Sequence, residues 1–222
     1  MPDSQTKPTP IDTRERILDT AAELFAREGL SRPTVRQITT GAGVNVAAVN
    51  YHFGSREALI DAVFARYAET VNGERLRRLD QILAAAGEDR PGLPAILEAY
   101  LEAPLLHFDA RQSGAPPRLA QLFGHLLTEP PELVQPLLQR HFGPITQRFL
   151  HAIGRALPEL PLTELEFRFR LVMAALAATA AQNQSIQSIL ETETKPMEYE
   201  QKIKRLVAFL AGGLRAPAQV EN

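Results

Sequence analysis

The chain has 222 residues, with 24 Lys plus Arg, 26 Asp plus Glu and a formal net charge of -2. That length fits one large domain or two small ones, and the near-neutral balance excludes a protein that holds polyanions through bulk basicity. The absence of cysteine excludes disulfides, thiolate metal sites, iron–sulfur clusters and cysteine nucleophiles. A local basic face stays open. Residues 1–10, MPDSQTKPTP, are polar and Pro-rich and read as a disordered leader. No run of about 18 apolar residues occurs, so the expectation is a cytoplasmic protein without membrane contact.

Strand-like alternation with Asn-Gly or Asp-Gly turns is missing, and the chain reads as helix nearly throughout. A first helix is expected from near Asp12. Glu15 stands at the capping-box spacing, and Ile17, Ala21, Leu24 and Phe25 form the apolar face. Gly29 ends it. Thr34 caps a short second helix, with Gln37 completing the box, and Gly41 and Gly43 break it. Asn45 caps a third, Val46 to Phe53; Gly54 stops it and Ser55 caps a long fourth. The fourth carries the stripe Leu59, Val63, Tyr67, Val71, Leu79, Ile82 and Leu83, with a bend expected near Gly73. After the break at 87–94, helices are expected over 94–108, 117–128, 131–156, 162–191 and 197–214. Pro136 and Gly143-Pro144 predict a kink or break within 131–156. Residues 216–222 read as a disordered tail.

Residues 31–53 combine a short helix, a tight glycine turn and a second short helix, the spacing of a helix-turn-helix. Val44, Val49 and Phe53 would pack inward with Ile38 and Ala42. Val46, Ala47, Asn50 and Tyr51 would then face outward, where such a helix meets base edges. Charge follows the same pattern. No Asp or Glu stands between Glu28 and Glu57, where about three would fall by chance. The same stretch holds Arg32, Arg36, His52 and Arg56. Phosphates repel carboxylates and attract these groups.

The stretch TVRQITTGAGVNVAAVNYHFGSREALIDAVF, residues 34–64, closely resembles the DNA-binding domain of TetR-family transcriptional regulators. The lead-in RERILDTAAELFAREGL, residues 14–30, matches that family's first helix. Gly43, Val44, Tyr51, His52 and Phe53 stand in the family's register. The resemblance implies an all-α protein with a helix-turn-helix DNA-binding domain at 11–57. A helical effector-binding and dimerisation domain would follow at 58–215. It implies that Thr34 bonds a phosphate through its hydroxyl and the helix-end N–H groups. Arg32 and Arg36 are further phosphate or base contacts. Tyr51 and His52 resemble the family's backbone-contacting pair. Arg56 stands where the family usually has a phosphate-binding lysine. Asn50 departs from the more common aromatic, and its amide suits adenine. Asn45, Val46, Ala47 and Ala48 complete the set; the last three favour close approach and thymine methyl contacts. Val46 is equally readable as a packing residue.

Residues 171–181, LVMAALAATAA, are apolar on all sides, which predicts a helix buried on both faces. One face would meet the subunit core and the Ala-rich other a second subunit, although full burial within one subunit gives the same pattern. With the helix at 197–214, the expected homodimer interface comprises Ala174, Ala178, Ala181, Ile186, Leu206, Leu210 and Gly213. A palindromic double-stranded DNA operator would meet two heads. Between head and dimer helices the family holds a pocket. Candidate lining residues are Phe64, Tyr67, Leu105, Phe108, Phe123, Leu127, Phe142, Phe149, Met173 and Leu176, at a spacing that plain core also shows. Without Trp and with few obvious buried charges, the set favours a small apolar effector. GVNVAAVNYHFGS and PPRLAQLFGHLLTEPPE resemble the branch that senses fatty acids or acyl thioesters. Gln182, Asn183 and His107 are conceivable polar anchors. The five histidines lack a helical zinc spacing, and no nucleotide loop or nucleophile elbow occurs. The reading is therefore a repressor without cofactor or metal. A helical enzyme or an adaptor is the alternative, which would leave the acid-free stretch unexplained.

Overall fold

The structure is a computed structural model. It describes residues 10–108, 121–122, 125, 129–180 and 197–218. Eight helices form among the described residues. They are α1 (Pro10–Glu28), α2 (Val35–Ala42), α3 (Val46–Phe53), α4 (Arg56–Ala86), α5 (Leu93–Phe108), α6 (Pro131–Ala156), α7 (Leu162–Ala180) and α8 (Tyr199–Arg215). No strand occurs among them.

Local chemistry sets the first four helices. α1 starts at Pro10, two residues before the expected cap, so Asp12 lies in its first turn and favours the helix through the dipole. Thr34 and Gln37 close a reciprocal capping box at the start of α2. Asn45 and Ser55 cap α3 and α4, accepting from Ala48 N–H at 2.9 Å and Ala58 N–H at 3.1 Å. Gly43 ends α2 with φ +64°, a conformation that disfavours any side chain. A Cβ there would also lie 2.8 Å from Arg16 Nη2. Arg16 itself donates to the Ala42 carbonyl, tying α1 to the turn.

Two apolar cores result, and α4 belongs to both. Its first half gives Leu59, Ile60, Val63 and Phe64 to a head core with Ile17, Phe25, Ile38 and Val49. Its second half gives Val71 and Leu79 to a bundle core with Ile96, Leu101, Phe149, Phe169 and Leu210. Leu122, Val134 and Leu137 close the head core from the far side. The head is thus sealed by residues that follow position 57 by 65 to 80 places, and packing does not divide at residue 57.

No break interrupts α6 or α4. α6 runs from Pro131 to Ala156 through Pro136, Gly143 and Pro144. Each internal proline removes one ladder bond, but Val134, Leu137, Ile145 and Phe149 remain buried on either side and hold the helix together. α4 likewise runs through Gly73 as one helix. Of the expected helix over 117–128 only residues 121–122 and 125 are described, all helical; the 181–191 end of the seventh helix, residues 1–9 of the leader and most of the tail lie outside the described residues.

Candidate nucleic-acid interface

The α2–turn–α3 unit stands on the head core through Ile38, Ala42 and Val49, all buried. Its outer surface carries the side chains expected there. Val46 is 47% exposed and Tyr51 82%. Ala47 and Asn50 are exposed as well. Tyr51 meets the His52 ring edge-on, with centroids 5.0 Å apart. Arg32 and Arg36 are exposed, and their guanidinium groups form no ion pair or hydrogen bond among the described residues. At the edge of the acid-free stretch, Glu57 accepts from its own backbone N–H and the Ser55 hydroxyl, which lower its pKa. Its charge therefore persists and bounds the basic face.

Four expected contacts need correction. Ala48 is half-buried against the head core, so α3 turns it away from the outer face. Asn45 spends its amide oxygen on the cap of α3. Thr34 spends its hydroxyl inside the capping box, donating to Gln37 Oε1 at 2.8 Å and accepting from Gln37 N–H at 3.2 Å. What α2 offers an anion is its N-terminal N–H groups. Arg56 does not reach outward as a phosphate ligand. Its guanidinium donates to the Pro33 carbonyl, from Nε at 3.2 Å, and to that of Leu30. It fixes the α1–α2 link instead.

A second tie to that link comes from far along the chain. Glu129 accepts from Leu30 N–H at 2.5 Å, from Ser31 N–H at 3.2 Å and from the Ser31 hydroxyl. Burial raises its pKa, but these donors outweigh that and leave it lowered. Across α4, Asp61 bonds Arg140 at 2.7 Å and His141 Nε2 at 3.0 Å on α6. Arg66 bonds Asp19 on α1 at 2.9 Å. The head is thereby joined to α6 by polar contacts as well as by its core. None of these partners stands near the other in sequence, so only Glu129's place before α6 hinted at it.

The ten pocket candidates do not form one group. Phe64 and Phe142 pack with the head core, and Leu105 and Phe149 are buried in the bundle core. Met173 and Leu176 border the bundle core half-buried, and Tyr67 touches both cores. The Phe108 side chain, Phe123, Leu127, the His107 side chain, Gln182 and Asn183 lie outside the described residues. Few buried charges were expected, and two are found: Arg75 and Arg168 are both buried.

On α7 and α8, Ala174, Ala178 and Gly213 are exposed and Leu206 is half-buried. Leu210 is a correction. It turns into the subunit's own core, in register with Ile203, Val207 and Leu214. Ala181 and Ile186 lie outside the described residues. Residues missed by the periodicity are exposed on the same two helices: Leu162, Phe167, Leu171 and Phe209, the last 76% exposed. Phe209 had a signal. It is a lone aromatic off the apolar stripe of α8, on the side of Arg205.

Among the described residues, no group of His, Asp and Glu could hold a metal ion, and no helix is long and apolar enough to cross a membrane.

Comparison with known proteins agrees with this architecture. Residues 17–63 match the family described as bacterial regulatory proteins, tetR family. Residues 98–213 match the tetracyclin repressor-like C-terminal domain. The HTH-type transcriptional repressor KstR2 of Rhodococcus jostii is 32% identical over 90 residues, covering 40% of this chain and 42% of that protein. KstR2 of Mycobacterium tuberculosis strain H37Rv is 29% identical over 119 residues, covering 49% and 56%. The chain thus spans about half the length of the curated relatives it matches. Among solved structures, the fatty acid degradation regulator FadR from Bacillus halodurans superposes with a TM-score of 0.58 at 18% identity, over 95% and 99% of the two chains. Salmonella enterica GusR superposes with a TM-score of 0.57 at 19% identity, over 96% and 100%. The two family profiles, the second over more than half of the chain, place it: it belongs to the TetR family of transcriptional regulators, which are not enzymes.

Proposed function

We propose that this chain is a homodimeric repressor of transcription that leaves a palindromic operator when a small apolar effector binds within its bundle. The observation that carries the reading is the outer face of α2 and α3. It joins exposed Arg32, Arg36, Asn50 and Tyr51 on a helix-turn-helix inside 28 consecutive residues free of acid, Gly29 to Arg56. Arginines and the α2 N-terminus hold phosphates, and α3 enters the major groove. Asn50 reads adenine by two hydrogen bonds, while Val46 and Ala47 lie against thymine methyls. The KstR2 relatives are named repressors, which favours repression here.

Dimerisation supplies the second head. The exposed Leu162, Phe167, Leu171 and Phe209, with the small Ala174, Ala178 and Gly213 between them, suit a close pairing of α7 and α8 with a second copy. The two α3 helices would then stand about 34–36 Å apart, one turn of DNA, or a multiple of it. A fatty acid or an acyl-CoA is the effector class, in line with the GVNVAAVNYHFGS resemblance and the apolar bundle. Effector binding shifts α4. Because α4 serves both cores, the shift changes the spacing of the heads, with a coupling of about 1–3 kcal/mol.

Selection of random duplex DNA by the full chain tests this. An inverted repeat should be enriched, bound by a dimer, and weakened steeply by salt. A pool without an enriched repeat contradicts the proposal.

A further inference from the structure

Two arginines are buried in the bundle, and they differ in what balances their charge. Arg168 bonds Glu164 at 2.7 Å and donates to the carbonyls of Leu214 and Ala216, at 2.9 and 2.6 Å, at the end of α8. Arg75 is 3% exposed and has no carboxylate partner among the described residues. The neighbouring acids are committed elsewhere. Glu74 serves Arg77 and Arg78, Glu102 serves Arg78, and Asp80 serves Arg148.

The contacts of Arg75 fix one end of its guanidinium. Nε donates to the Tyr100 carbonyl at 2.7 Å. That carbonyl needs an outside donor, since the residue four positions on in α5 is Pro104, which has no N–H. The guanidinium lies over the Tyr100 ring, 4.2 Å from its centroid. Nη1 is 3.5 Å from Asn72 Oδ1, at the outer limit of a bond. Nη2 has no bond among the described residues. A guanidinium carries five donors and keeps its charge at any physiological pH. Burying it with one firm bond and no counter-charge is costly. The Tyr100 hydroxyl bonds Thr146, so it does not compete for an anion here.

We propose that Arg75 anchors the carboxylate of the effector, with Nη1 and Nη2 as a two-pronged donor. This rests on the reading that the bundle holds an effector, and it names the effector's chemical class: a carboxylic acid with an apolar body. Nε and the Tyr100 ring orient the fork, and an Arg–carboxylate pair is strongest in that bidentate form. Tyr67, Met173 and Leu176, half-buried against the same core, border the apolar body. Arg75 stands in the four-residue register Tyr67, Val71, Arg75, Leu79 of α4. It is 19 positions from Arg56 at the head end of that helix, about 28 Å at 1.5 Å per residue. An acid bound at Arg75 therefore bears on the helix shared by both cores.

The test is calorimetric titration of the full-length protein with straight-chain carboxylates of six to twelve carbons and with their methyl esters. At least one acid should bind about tenfold or more tightly than its ester. Arg75→Gln can still donate to the Tyr100 carbonyl but has lost the charge. It should bind acid and ester alike while keeping the wild-type affinity for the selected operator. Arg75→Lys should keep part of the preference. The proposal is overturned if no acid is preferred by the wild type, or if the preference survives in Arg75→Gln. Should Arg75→Gln fail to fold by circular dichroism, the wild-type acid–ester ratio and Arg75→Lys decide. Loss of operator binding by the unliganded wild type would sink the regulator reading. Equal binding of acid and ester with operator binding intact would sink the anchor alone.

Discussion

The head and the bundle handle charge in opposite ways. In the head, Arg32 and Arg36 stand exposed in a stretch without acids. In the bundle, several surface cations are paired at close range: Arg77 and Arg78 with Glu74, and Arg140 with Asp61. Exposed pairs of that kind add little stability each, but they leave little net field. The contrast shows where a polyanion can land. A chain of net charge -2 can still present a basic face, because its acids are confined to other surfaces. It also makes Arg75 stand out, as the one buried cation described here that lacks an acid.

Substitutions can break this contrast, and they fall in order of expected effect. Phe149→Ala should be the most damaging. The ring is fully buried, 5.0 Å from Tyr100, and its loss should cost about 3–5 kcal/mol, read by urea unfolding. Operator affinity should fall only in proportion to the unfolded fraction. Next comes Asn50→Ala, which should leave the fold intact and lose about 1–3 kcal/mol of discrimination at one base position. Competition between operator variants measures it. Tyr51→Ala should instead weaken all sequences alike. Arg36→Ala should lower the slope of log affinity against log salt by about 1 per head.

Glu129→Ala probes the tie between the two regions. Removing the acceptor strands the part-buried Leu30 N–H, at about 1–2 kcal/mol near neutral pH. The sign with pH follows from the lowered pKa of Glu129. A depressed carboxyl contributes stability above its unfolded pKa and loses it as pH falls through the folded value. The gap between wild type and variant in unfolding free energy should therefore shrink below the ordinary carboxylate range. A gap that stays constant down to strong acid would show that the carboxylate charge is not what holds the link.

The head was legible in the sequence because its structure is local. Thr34 with Gln37, Asn45, Gly43 and Ser55 act within three or four residues, and each sets a boundary where expected. What local signals could not give is which polar groups are already spent. Thr34 and Arg56 look like phosphate ligands until the capping box and the carbonyls of Leu30 and Pro33 are seen. The bundle was legible only as helices. Its prolines read as breaks, yet buried neighbours keep α6 whole. Leu210 and Phe209 are adjacent, and which faces inward depends on packing against α5 and α7. Arg75 did leave a trace. The α4 stripe Tyr67, Val71, Leu79 skips one place in its four-residue register, and that place holds the arginine.

The central claim is that the acid-free face of the head reads DNA. Salt-dependent binding of the full chain to its selected repeat, set beside that of Asn50→Ala, tests it most directly. The account predicts a steep fall of wild-type affinity with salt, and an Asn50→Ala protein of the same salt slope that no longer distinguishes one base pair. A salt-independent affinity, or an Asn50→Ala variant with undiminished base preference, would contradict it.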